Sequence, residues 1–103
     1  MLPEVVLLGA ADYVIREKKR LDTPQLLGET DNPNCEILIR RKQAPASKRD
    51  TFLHEVLHAI IWLSGMSNEM DGEVEEKYVR YLTPWILAFL QDNPDSLAYL
   101  LEK

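Results

Sequence analysis

The stretch Thr51-Phe52-Leu53-His54-Glu55-Val56-Leu57-His58-Ala59-Ile60 decides how this chain is to be read. Its apolar residues, continued by Ile61, Trp62 and Leu63, predict a helix and cover nearly all of its sides, which marks a central, buried element. On a helix, residues four apart lie about 40° apart around the axis and one turn along it. His54 and His58 can therefore reach a single ion at the ~2.0–2.1 Å typical of zinc–nitrogen bonds. Glu55 projects from the adjacent side, where it can contact a metal-activated water without being a ligand. The chain has only these two histidines, so both belong to the His-Glu-x-x-His spacing. An acid and two imidazoles on an apolar helix are costly to bury without a partner, and a divalent cation supplies one.

Working outward, Ser47 with Asp50 three residues on reads as the N-cap of this helix, and Gly65 is placed to end it after Ser64. Met66 to Gly72 reads as a connection. A longer helix is expected from about Glu73 to Asp92. Its Val74, Tyr78, Val79, Leu82, Trp85, Ile86, Phe89 and Leu90 recur at helical spacing and predict a core-facing side. Core packing accounts most simply for Trp62, Trp85 and Phe89. Pro84 is expected to kink the second helix, and Asn93-Pro94 to end it and start a short last one.

The first forty residues read as strands: Val5 to Leu8, Tyr13-Val14-Ile15, Leu26 to Thr30, and Cys35 to Arg40, with Asp31-Asn32-Pro33-Asn34 as a turn. The expected fold is α+β. A small antiparallel β-sheet of three or four strands packs on two main helices plus a short C-terminal helix, in a single domain over residues 1–103.

Composition narrows the function classes. With 46% hydrophobic and 28% charged residues the chain is ordinary for a soluble globular domain. A net charge of −5 argues against a nucleic-acid-binding surface, and the basic cluster Arg16-Glu17-Lys18-Lys19-Arg20 reads as a solvated strand end or turn. No segment approaches the ~18 apolar residues of a membrane span. Cys35 is the only cysteine, which excludes an intrachain disulfide and a cysteine-based zinc site. Met1-Leu2-Pro3-Glu4 lacks a basic leader and Val5 to Leu8 is too short for a signal-peptide core, so a reduced, cytoplasmic setting is expected.

A catalytic zinc takes three protein ligands and leaves one position open. With no third histidine, the remaining ligand must be a carboxylate, and Asp71-Gly72-Glu73-Val74-Glu75-Glu76 at the start of the second helix is the obvious source. Wheel geometry slightly favours Glu75, which shares a side with Val79 and Leu82; Glu76 is one step round.

Over residues 27–94 the sequence resembles short, largely phage- and mobile-element-encoded metallopeptidase-like proteins related to the ImmA/IrrE and minigluzincin type. The resemblance rests on Leu27-Gly28-Glu29-Thr30-Asp31, Ile37-Leu38-Ile39, Arg49 through Ile60, and Glu76 through Asp92-Asn93-Pro94. It implies a zincin-like fold and a metal set of His54, His58 and Glu76, because such proteins place the third ligand three residues ahead of a branched aliphatic, here Val79. It also implies that the strand nearest the site, taken as Cys35 to Arg40, binds an extended peptide by edge pairing. Pro84 departs from the pattern.

The expectation is therefore a zinc-dependent metallopeptidase acting on a protein or peptide substrate, with Zn2+ as cofactor and Glu55 as general base. By residue type alone Tyr78 is a candidate oxyanion partner. The rival readings are a non-catalytic, metal-stabilised protein-binding regulator and a metal-free pseudoenzyme.

Overall fold

Two of the strand signals meet at Gly9, whose positive φ of 64° turns Val5–Leu8 (β1) back onto Ala11–Lys18 (β2) as an antiparallel pair. The computed structural model describes all 103 residues. After β2 the chain runs through Thr23-Pro24 to the far edge of the sheet, forms Gly28–Asp31 (β3), and returns as Glu36–Arg40 (β4). The sheet order is β1-β2-β4-β3. Because β4 fills the gap between β3 and β2, it pairs antiparallel with β3 and parallel with β2. The fold is α+β as expected, but its sheet is mixed rather than wholly antiparallel. Proximity in sequence favours hairpins, whereas the long β2–β3 connection carries the chain past the position that β4 later takes.

The β3–β4 turn is built by Asp31, whose carboxylate accepts from the Asn34 backbone N–H (3.2 Å) and side-chain amide (2.9 Å). Cys35 belongs to this turn, at φ 51°, so the strand starts at Glu36. The basic cluster lies partly in β2, where Arg16 pairs with Glu36 (2.6 Å) and Glu17 pairs with Lys48 of the following helix (3.3 Å).

Pro45–Ser64 forms the first helix (α1), which starts three residues earlier than the Ser47 cap predicted, with Ala44 in the capping position. Pro45 sits in its first turn, where its missing N–H costs nothing, and Ser47 instead bonds Gln43 Oε1 at 2.9 Å. Gly65 ends the helix in the left-handed conformation, φ 88°. A 3-10 turn over Met66–Glu69 leads to Gly72–Asp92 (α2), capped by Asp71, whose carboxylate accepts from the Val74 N–H at 2.8 Å. The second helix continues through Pro84, which leaves the Arg80 carbonyl without its intrahelical donor, and the Thr83 hydroxyl donates to the Val79 carbonyl at 2.6 Å. Pro94–Leu100 forms the last helix (α3).

The core lies between one sheet face and α1. Tyr13 and Ile15 of β2, Ile37 and Ile39 of β4, and Val56 and Ala59 of α1 are its buried members. It is small: 13 of 103 residues are buried. The first helix therefore buries one side only. Thr51, Glu55, Val56, Ala59 and Ile61 face inward, while Ile60, Trp62 and Leu63 are exposed. On α2 only Val79 and Thr83 are buried, so core packing does not account for Trp62, Trp85 or Phe89. Helical periodicity identifies a helix but does not say how much of an apolar face a 103-residue fold can cover.

Candidate metal centre

Three separate elements converge on the His-Glu-x-x-His turn: α1 itself, the start of α2, and the edge strand β3. The His54 and His58 rings stand on one side of α1 with centroids 5.0 Å apart and planes at 61°. Across from them, the second turn of α2 presents Glu76. Its Oε1 lies 2.9 Å from His54 Nε2 and its Oε2 lies 2.8 Å from His58 Nε2. One donor atom from each of His54, His58 and Glu76 falls within 4.8 Å of the other two. A tetrahedral zinc with ligand bonds of ~2.0–2.2 Å would place its ligand atoms roughly 3.3 Å apart, so this donor set suits the ion in type, number and spacing.

Glu75, slightly favoured by wheel geometry, and Glu76, implied as third ligand by the resemblance, meet different ring nitrogens. Glu75 Oε2 accepts from His58 Nδ1 at 2.6 Å, the ring nitrogen opposite the one that meets Glu76. With a metal on Nε2, that carboxylate would hold the ring proton on Nδ1 and so turn the Nε2 lone pair toward the ion. Burial alone would lower the His58 pKa, but its hydrogen bonds to Glu75 and Glu76 outweigh that and raise it.

Glu55 projects from the adjacent side of α1, toward β3, and is only 6% exposed. The Thr30 hydroxyl donates to its Oε1 at 2.7 Å and lies 3.0 Å from its backbone carbonyl. Burial pushes the Glu55 carboxyl up and Glu76 adds to this, against the Thr30 hydrogen bond and the two imidazoles, with a net upward result. A carboxyl displaced in that direction accepts a proton more readily than an ordinary glutamate.

The close approach of β3 depends on Gly28. A Cβ there would lie 2.8 Å from Thr51 Cγ2 and 2.9 Å from Glu55 Cγ. Gln43 ties the same strands to α1: its amide donates to the Arg40 carbonyl (2.8 Å) and the Leu27 carbonyl (3.2 Å), and its Oε1 accepts from Thr51 (3.0 Å). Sequence reasoning gave no role to Gly28, Thr30 or Gln43. Alternation along β3, which puts Gly28 and Thr30 on the same face as Ile37 and Ile39, was the available signal.

These residues border an open cleft of about 850 Å³, floored by His54, Glu55 and His58 and flanked by Gly28, Thr30 and Glu76. Arg80 is the one cationic side chain on its lining. Tyr78 does not line the cleft and is 51% exposed, so it is not placed to face the site. The strand beside the site is also not the expected one. Cys35 to Arg40 lies inside the sheet between β2 and β3, and the free edge at the cleft belongs to β3. Since Leu27 and Arg40 form a hydrogen-bonded pair, Gly28 and Thr30 turn their backbone groups outward along that edge. No helix is long and apolar enough to cross a membrane.

No family model matches this chain, and neither a curated protein nor a solved structure matches it.

Proposed function

We propose that this chain is a zinc-dependent metallopeptidase of the short phage type that its sequence resembles, holding Zn2+ on His54, His58 and Glu76. The observation that carries the reading is the convergence of those three donors beside the buried carboxyl of Glu55, on the floor of an open cleft. Zinc held by these donors would supply Lewis-acid polarisation of a peptide carbonyl and lower the pKa of a nearby water.

The chain's own residues do the rest. Glu55, steadied by the Thr30 hydroxyl, takes the proton of the attacking water and delivers it to the leaving amine. Glu75 keeps His58 in the tautomer that ligates through Nε2. The outward N–H and C=O groups of Gly28 and Thr30 offer an extended protein or peptide substrate a strand to pair with, which sets the scissile bond over the floor of the cleft. With Cys35 as its one thiol, the enzyme is assigned to a reducing cytoplasm, that of the host cell for a phage-borne chain.

Replacing Glu55 with Gln tests this. The variant is expected to bind one zinc per chain and to cleave no peptide; cleavage that persists removes Glu55 from the mechanism. The small core favours one second reading, in which zinc chiefly staples a protein-binding domain. Wild-type protein that binds zinc and gains stability from it, yet cleaves nothing in an unbiased peptide library, would select that reading.

A further inference from the structure

We propose that this chain works as a two-fold symmetric dimer in which the outward apolar seam of α2 packs against the same seam of a second copy. The proposal does not depend on the metal reading.

The second helix carries two apolar stripes offset by one residue. Val79, Thr83, Ile86 and Leu90 face the fold, the first two buried and the others half-buried. Tyr78, Leu82, Trp85 and Phe89 follow the same 4-3-4 spacing about 100° further round the helix, and all four are exposed, Trp85 to 75%. The spacing is that of the a and d positions of a helix–helix seam, and it runs roughly 16 Å at 1.5 Å per residue. Tyr81 widens the seam and is also exposed. At about half exposure, these five side chains present on the order of 600 Å² of mostly apolar surface, the upper limit of what a monomer of ordinary solubility shows in one patch.

The area of the whole chain points to the same occupant. A folded monomer of 11.9 kDa should expose about 6,000 Å². This chain exposes 7572 Å². The surplus of roughly 1,500 Å² is spread over the whole chain, and it leaves room for an interface of dimer size with the seam's roughly 600 Å² at its centre. A dimer about a two-fold axis needs a patch that complements itself, and a seam of Tyr, Leu, Trp and Phe with no charge meets that condition.

Light scattering on the eluting 103-residue chain, over a concentration series, reads the outcome. The wild type is expected at twice 11.9 kDa. Trp85→Glu should raise the dimer dissociation constant at least about 30-fold, the size of effect expected when a buried aromatic anchor is replaced by a charge. Leu82→Lys should act likewise, and Leu7→Glu, on the opposite face of the sheet, should not. Far-UV circular dichroism checks that each variant is folded. Should Trp85→Glu fail to fold, Leu82→Lys decides, together with Trp85 fluorescence in a Trp62→Phe background, which should shift to the blue as wild-type-like protein is concentrated. A chain that stays monomeric throughout overturns the proposal, as does a dimer that survives both seam substitutions.

Discussion

Placing a methyl group on Gly28 is a small change with a sign that the structure decides. In a strand, alanine in place of glycine ordinarily gains about 0.5–1 kcal/mol by restricting the unfolded chain. Here the new Cβ would sit 2.8 Å from Thr51 Cγ2, 2.9 Å from Glu55 Cγ and 3.1 Å from Glu55 Oε2. Carbon atoms rest at about 3.5 Å or more, so strand and helix must part by roughly 0.6–0.7 Å. Overpacking of that kind costs about 1–3 kcal/mol, which leaves a net loss centred on about 1 kcal/mol after the usual gain. For a domain of this size the melting temperature should fall by roughly 4–8 °C. The displaced carboxyl is Glu55, so peptide cleavage should drop by up to about 100-fold, the scale associated with a 1 Å misplacement. Thermal unfolding of zinc-stripped wild type, Gly28→Ala, Thr51→Ser and the double variant measures this, because Thr51→Ser removes the nearest atom and should restore part of the loss. A Gly28→Ala protein as stable as the wild type, or more so, would refute the close approach of β3 and with it the positioning of Glu55.

Two other perturbations have defined outcomes. Glu75→Gln keeps the side chain's shape but replaces the carboxylate on His58 Nδ1, and zinc affinity measured by chelator competition should fall about 10–100-fold; unchanged affinity would mean that Glu75 does not orient the ring. Tyr13, 0% exposed and donating to Asn32 Oδ1 at 2.8 Å, has its phenol pKa pushed above 10.0 by burial and by nearby Cys35. Below pH 10 both folded and unfolded chains hold the proton; as pH rises further the unfolded chain loses it first, so stability falls until the folded phenol also ionises. Urea midpoints taken from pH 9 to 11 should therefore drop more steeply for the wild type than for Tyr13→Phe, and equal slopes would contradict the burial argument.

The parts of the fold and site that were legible are those written in local sequence. His54, Glu55 and His58 announce their geometry because four residues on a helix fix an angle whatever surrounds it, and the structure brings their rings and Glu76 together. Gly65 stops α1 because its φ is a property of one residue. What depended on tertiary placement was not legible. Ser47 has the chemistry of a cap, yet Pro45 starts the helix and Gln43 claims the serine hydroxyl. The segment Cys35 to Arg40 reads plainly as a strand, yet composition does not say that β4 lies inside the sheet while the short, polar β3 takes the edge. Glu75 and Glu76 differ by one step of the helix, and only the approach angle of α2 decides which meets Nε2 and which meets Nδ1 of His58. The two stripes of α2 likewise share one spacing, and the sequence does not say which of them faces the fold.

Everything proposed for the site rests on three side chains closing on one ion. Calorimetric titration of Zn2+ into chelator-stripped protein, alongside the Glu76→Ala variant, tests that most directly. One tight site per chain is expected in the wild type, weakened by several orders of magnitude when Glu76 is removed. Wild-type protein with no saturable site, or a Glu76→Ala variant that binds zinc as tightly as its parent, would contradict it.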